Sequence, residues 1–155
     1  MVTLGDRIVT AVGSLRQRGL AVTERSHKGD TIYTLTTPKY QIVVTVNPSR
    51  WVGLHFTLGL HDRPELSYDI DTQLYDLASP RFETLARRVE DDVVDFLSAL
   101  VNGAVKVGKV GRRPALLVTT GNRTIIVTKA RSASSNKIRR ASAGTEAKGG
   151  FTPLN

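Results

Sequence analysis

Residues 79–102 read SPRFETLARRVEDDVVDFLSALVN, and this stretch decides the fold. At 100° per residue its apolar side chains form a single stripe: Phe82, Leu85, Ala86, Val89, Val93, Phe96, Leu97 and Leu100. The opposite arc is polar and holds Thr84, Arg87, Arg88, Asp91, Asp92, Asp95 and Ser98. Ser79 suits an N-cap, Pro80 suits the first helical position, and Asn102-Gly103 supplies a left-handed stop. The stretch therefore predicts one amphipathic helix, about 34 Å long, that covers a face of a sheet.

The segments around this helix predict one more helix and a series of strands. The first helix is expected over residues 4–18, with one apolar face formed by Leu4, Ile8, Val12 and Leu15. Strands are expected over residues 20–27, 31–37, 40–46 and 51–61, and then over 104–110, 114–120 and 123–129. Residues 66–70 fit a short edge strand, and residues 72–78 fit a helical turn. The order α-β-β-β-β-α-β-β-β predicts an α+β fold, with a mainly antiparallel sheet and the long helix packed on it.

Charge divides the 155 residues into three parts. Residues 1–59 carry seven Lys and Arg against three Asp and Glu, residues 60–95 carry four against ten, and residues 96–155 carry eleven against one. An acidic middle therefore stands beside a basic C-terminal third. We expect the basic part to seek anions, and the acidic residues of 62–76 to offer a docking patch. The basic group on or near the final strands comprises Lys106, Lys109, Arg112, Arg113 and Arg123.

Residues 1–130 are predicted to form one domain, and residues 131–155 a basic, extended C-terminal arm. The arm is rich in Ser, Ala, Gly, Lys and Arg and has no apolar periodicity before its end. Because such a composition does not order itself, we expect a partner to hold it. The residues expected to bind that partner are Arg131, Lys137, Arg139, Arg140, Lys148, Phe151 and Leu154. Phe151 and Leu154 would be apolar anchors in a neighbour's groove, with the charges steering the approach.

Residue types that carry catalysis are sparse. The chain has no cysteine, which excludes disulfides, thiolate metal sites and a cysteine nucleophile. His55 and His61 share one face of strand 51–61 with Trp51, but six strand residues span roughly 20 Å, too far for two ligands of one metal. Asp91 and Asp92 point 100° apart on the helix, and ion pairs with Arg87 and Arg88 at i,i+4 explain them. We therefore expect no enzyme, no metal and no cofactor.

The sequence predicts no targeting segment. The first residues lack a basic segment followed by an apolar one, so no signal peptide is expected. No apolar run reaches the length of a bilayer span. The expected location is the cytoplasm, or a particle assembled in the cytoplasm.

These patterns favour a non-enzymatic binding or assembly protein. Its basic arm would dock on an anionic partner, either nucleic acid or the acidic patch of a neighbouring copy, as in a structural subunit of a viral or phage-like particle. One alternative is a nucleic-acid-associated protein that binds the phosphate backbone through its basic tail. A second is a chaperone or immunity-type domain that binds a partner through the sheet face around Trp51 and His55. An enzyme using His55 or His61 is the remaining class.

Overall fold

The computed structural model describes residues 3–48, 51–60, 63–71, 82–121, 123–129, 136–140 and 150–154. Within these residues the chain has an α+β fold with mainly antiparallel sheets, and the longer helix packs on them, as the sequence predicts. The helices are α1 (Asp6–Gln17) and α2 (Glu83–Val101). The strands before α2 are β1 (Val22–His27), β2 (Asp30–Thr36), β3 (Tyr40–Asn47), β4 (Trp51–Leu60) and β5 (Arg63–Asp71). Those after it are β6 (Val105–Val110), β7 (Arg113–Thr120), β8 (Arg123–Lys129), β9 (Asn136–Arg140) and β10 (Thr152–Pro153).

Strands β1 to β5 form a five-stranded meander, the N-terminal sheet, with every neighbouring pair antiparallel. The alternation predicted for strand 51–61 sets its faces, because Leu54 and Phe56 of β4 are buried whereas His55 between them is exposed. Their cross-strand partners repeat the pattern, with Val44 and Ile42 of β3 on the buried side. This side, the inner face, packs against both helices in the main core.

Helix α2 buries four residues of the predicted stripe, Val93, Phe96, Leu97 and Leu100, in the main core, and Val89 packs against it. Ala86 is buried outside the core clusters, whereas Phe82 and Leu85 are half-buried. Phe96 lies against the rings of Phe56 and Tyr68, at centroid distances of 5.7 and 5.8 Å. The helix ends at Asn102, and Gly103 has the predicted left-handed backbone at φ +71°. Its first helical residue is Glu83, and the predicted cap at Ser79 and Pro80 lies outside the described residues.

Helix α1 is shorter than predicted and starts with Gly5 in a left-handed conformation, φ +97°. Just before the helix, the N–H of Thr3 donates a hydrogen bond to Oδ2 of Asp6 at 2.9 Å. Ile8, Val12 and Leu15 are buried in the main core, as predicted. Gly19, at φ +85°, follows the end of the helix.

Strands β6 to β10 form a second five-stranded sheet, the C-terminal sheet, in the order β10-β6-β7-β8-β9. One face joins the main core through Leu116, Val118 and Val127. The other face holds a separate small cluster of Ala115, Leu117, Ile126 and Phe151. The middle of β7 is therefore buried on both faces, which explains why Ala115–Val118 is a continuous buried run rather than an alternating one.

The structure differs from the predicted arrangement in three ways. The strands divide into two sheets, because β6 turns back on β7 after α2 instead of extending the first meander. The edge strand predicted at residues 66–70 is present at the edge of the N-terminal sheet as β5, but it is longer than predicted. Two parts of the predicted arm, 136–140 and 152–153, are strands of the C-terminal sheet rather than free chain. The helical turn predicted near 72–78 lies outside the described residues.

Candidate functional site

The outer face of the N-terminal sheet carries the two residues predicted there, Trp51 and His55. Directly opposite residues of antiparallel strands share a face. The register places His55 between Val43 of β3 and Asp69 of β5, and it places Trp51 beside Asn47 of β3. Both α1 and α2 pack on the inner face, so this outer face turns away from the helices.

A chain of polar contacts passes through the imidazole of His55. Its Nδ1 contacts Oδ1 of Asp69, and its Nε2 lies 3.1 Å from Oγ1 of Thr57. This order of carboxylate, imidazole and hydroxyl resembles that of an activated nucleophile. Thr57, however, lies inside a strand that is paired on both sides, and N–H groups engaged in a ladder do not form an oxyanion hole. The contacts of Asp69, His55 and Thr57 therefore favour a role in binding over acyl transfer. His61 lies outside the described residues.

Three apolar side chains on this face, Ile32, Val43 and Trp51, belong to neither core cluster. All three are half-buried. Thr45 and Gly53, which lie opposite each other on this face, are buried. Thr45 and Gly53 therefore form a recessed area between the three partly exposed apolar side chains. Protein-binding surfaces combine apolar contacts of this kind with polar groups at their margin.

The predicted basic group of the C-terminal sheet separates into two ends. Lys109, Arg112 and Arg113 lie together at the β6–β7 hairpin, where Arg113 pairs with Val110. Arg123 begins β8 opposite Thr120, at the other end of β7, roughly 24 Å along the strand from Arg113. Because the two hairpins of a meander point in opposite directions, the predicted basic group is divided between the two ends of the C-terminal sheet.

The two ends also differ in their ion pairs. Nη2 of Arg123 lies 3.9 Å from Oδ1 of Asp92 on α2, in an exposed pair. Within the part of the chain that the structure describes, Lys109, Arg112 and Arg113 have no carboxylate within 4.0 Å. The hairpin cations are therefore available to an external anion. Lys106, the remaining member of the predicted group, lies within β6 opposite Leu117.

The residues predicted for the arm fall into three groups. Lys137, Arg139 and Arg140 belong to β9, with Arg139 opposite Ile126 and Arg140 opposite Ile125. Arg131 and Lys148 lie outside the described residues. The two expected anchors are buried in their own chain, since Phe151 is 9% exposed and Leu154 is 6% exposed. Their binding to a groove of a neighbouring copy stays a prediction.

The acidic residues on the charged face of α2 contact two other elements. Asp91 contacts Arg7 of α1, and Asp92 lies near Arg123 of β8. These long-range contacts form because α2 lies between α1 and the C-terminal sheet. The i,i+4 pairs with Arg87 and Arg88 stay a prediction. Partial burial raises the pKa of Asp92; Arg123 opposes this shift, and the neighbouring carboxylates of Asp95 and Asp91 add to it.

The residue that the sequence interpretation missed is Glu90. Its carboxylate is fully buried on α2, where Oε2 accepts a hydrogen bond from the N–H of Gly5 and Oε1 lies 3.2 Å from Nη1 of Arg87. Glu90 follows Ala86 by four residues and precedes Val93 by three, so it stands on the apolar stripe. An acidic residue inside an apolar stripe was the available signal.

Neither helix of the described ranges combines the length and the apolarity needed to cross a membrane. The His, Asp and Glu side chains of the same ranges do not gather into a group of three that could hold a metal ion. Comparison with models of known protein families, with curated proteins and with solved structures finds no match to this chain.

Proposed function

We propose that this chain is a non-enzymatic binding and assembly protein that docks on an anionic partner through its basic C-terminal third. We further propose that it works as a subunit of a larger particle, viral or phage-like, assembled in the cytoplasm. The partner in this proposal is an acidic surface of another protein subunit, including another copy of the chain.

The observation that carries the proposal is the charge of the C-terminal sheet. Residues 96–140, which include β6 to β9, contain no Asp or Glu. They contain ten cations: Lys106, Lys109, Arg112, Arg113, Arg123, Lys129, Arg131, Lys137, Arg139 and Arg140. A surface of one sign attracts partners of the opposite sign and raises their rate of association. The exposed carboxylates of the chain lie elsewhere, among them Asp69 on β5 and Asp95 on α2, so one copy can offer anions to the cations of another.

Light scattering at several salt concentrations tests this proposal. We expect the mass to exceed that of one chain at low salt and to fall as salt screens the attraction. The triple variant Lys109→Ala/Arg112→Ala/Arg113→Ala should lose this assembly. A control with the same net charge, Arg25→Ala/Lys28→Ala/Lys39→Ala, removes exposed cations from the N-terminal sheet and its turns and should assemble normally. Equal masses for the two variants would contradict the proposal.

The same cations support a second candidate, in which the partner is the phosphate backbone of nucleic acid. Binding of a labelled DNA duplex at several salt concentrations separates the two. If nucleic acid is the partner, the hairpin variant should weaken duplex binding uniformly across sequences. It should also lower the salt dependence by roughly one unit of log–log slope for each phosphate group that it no longer neutralises. The same variant would then leave the mass of the protein alone unchanged.

The outer face of the N-terminal sheet supports a third candidate, a chaperone or immunity-type domain. Ile32, Val43 and Trp51 there lie outside both core clusters. Trp51 is the single tryptophan of the chain, so its emission reports on this face. A blue shift of Trp51 emission as the chain assembles would place the contact on this face, whereas unchanged emission would favour the basic hairpin.

A further inference from the structure

Residues 150–154 dock on the edge of the C-terminal sheet. Strand β10 pairs antiparallel with β6, with Pro153 opposite Lys106. The N–H of Leu154 donates a hydrogen bond to the carbonyl oxygen of Val105 at 3.0 Å. In the described part of the chain, β6 is the only strand that β10 pairs with.

Two apolar side chains of this segment are buried on opposite faces of the sheet. Leu154 belongs to the main core, and Phe151 belongs to the small cluster with Ala115 and Leu117. A short segment that adds a strand to an edge and fills pockets with alternate side chains binds as peptides do in β-augmentation. The edge of β6 is thus built as an acceptor for such a segment.

Pro153 makes β10 the last strand of its sheet. Because Leu154 is hydrogen-bonded to Val105, the neighbouring residue Pro153 directs its backbone nitrogen away from β6. Proline has no N–H to give there, so a further strand finds no donor at this position. The edge of β6 therefore accepts one segment, and a further strand is disfavoured next to β10.

The residues between β9 and this segment carry no large apolar side chain. Residues 141–149 read ASAGTEAKG and contain no aromatic residue and no aliphatic residue larger than alanine. Nine residues can span up to about 30 Å. The apolar attachment of the segment therefore comes from Phe151 and Leu154, and a second copy of the acceptor edge would offer the same contacts.

We propose that the edge of β6 accepts residues 150–154 from a second copy of this chain, in exchange for its own. The inference rests on the proposed assembly function and names its contact. Mutual exchange between two copies closes a dimer, whereas donation in one direction builds a ring or a chain. The basic sheet steers copies together, and the exchanged segment holds them.

The absence of cysteine allows a direct test with Lys106→Cys/Pro153→Cys. Opposite residues at a non-hydrogen-bonded antiparallel position lie about 4.5 Å apart at Cα, which a disulfide can bridge. Oxidised at high dilution and then concentrated, this variant holds the segment on its own chain. We expect light scattering to give 16.9 kDa per particle, and a reductant to restore the assembly. A mass that does not respond to the reductant would overturn the inference.

A second measurement uses the two cysteines on separate copies. Lys106→Cys mixed with Pro153→Cys should give disulfide-linked dimers on a non-reducing gel, in clear excess over Ser26→Cys mixed with Pro153→Cys. Ser26 is exposed on β1 and reports on random collision. Equal yields in the two mixtures would refute the exchange. If the unmodified chain assembles but the two mixtures give equal yields, only the exchange is refuted. If the chain stays monomeric in every condition, the proposed function itself is refuted.

Discussion

The buried carboxylate of Glu90 on α2 accepts a hydrogen bond from the backbone N–H of Gly5, 85 residues earlier in the chain. Gly5 precedes the first turn of α1, where backbone N–H groups have no helical partner. A carboxylate at a helix N-terminus also interacts favourably with the helix dipole. This contact ties the start of α1 to the middle of α2, and it fixes how the two helices lie on the N-terminal sheet.

Replacing Glu90 tests this tie. We expect Glu90→Ala to lower the free energy of unfolding by about 3 kcal/mol, because it leaves the buried N–H of Gly5 without its acceptor and removes a buried carboxylate that pairs with Arg87. Urea denaturation measures the change. The control is Asp91→Ala, which removes an exposed pair with Arg7 and should cost less than about 1 kcal/mol. Similar losses in the two variants would show that Glu90 has no special role.

Gly5 itself is required for two separate reasons. Its φ of +97° disfavours any residue with a Cβ atom, and that atom would overlap Cγ1 of Val46. We expect Gly5→Ala to destabilise the fold by more than about 2 kcal/mol in thermal or urea unfolding. Gly13→Ala is the matched control, since Gly13 is inside α1 with open space around it, and we expect a gain of about 0.5–1 kcal/mol. A harmless Gly5→Ala would contradict the described entry into α1.

Tyr68 predicts a change of stability with pH. Burial raises the pKa of its phenol above 10.0, the charge of Asp92 adds to the shift, and Arg123 opposes it. Because the folded pKa is higher than the unfolded one, this contribution is fully present below pH 10 and is lost as pH rises through the folded pKa. The difference in unfolding free energy between the unmodified chain and Tyr68→Phe should be constant below pH 10 and should shrink above it. A constant difference up to pH 12 would contradict this.

The docking of residues 150–154 predicts a cost for truncating Phe151. We expect Phe151→Ala to lower the free energy of unfolding by about 3 kcal/mol, because the side chain fills the small cluster of the C-terminal sheet. Ile138 on β9 is the matched control, since it is 51% exposed and Ile138→Ala should change stability by less than about 0.5 kcal/mol. If both variants unfold like the unmodified chain, Phe151 does not contribute to the core.

Strong local periodicity made the fold class predictable. The stripe of α2 and the alternation of β4 each repeat over many residues, so one pattern fixed both the element and its buried side. The division into two sheets could not be predicted, because strand pairing between β5 and β6 depends on the path of the chain after α2 rather than on any local pattern. Strand β9 could not be predicted for a similar reason. Asn136–Arg140 has little apolar character, so its strand conformation depends on its pairing with β8 and not on a local pattern.

The candidate site was predictable in its residue types and not in its geometry. The alternation of β4 placed Trp51 and His55 on one face, but the partner of His55, Asp69, comes from β5 through register. The basic residues were counted correctly, yet the direction of each hairpin separates Arg123 from Lys109 and its neighbours. Glu90 shows the opposite error, since a residue type expected at the surface is held inside by a backbone donor from α1.

The carboxylate-free composition of residues 96–140 has a consequence for control. This stretch also contains no histidine and no tyrosine, so its charged side chains are all lysines and arginines. Acidification of a cell compartment would therefore leave the charge of this stretch unchanged, whereas a change in ionic strength would alter its electrostatic attraction to a partner. An acid-triggered release would therefore require protonation of groups on the partner.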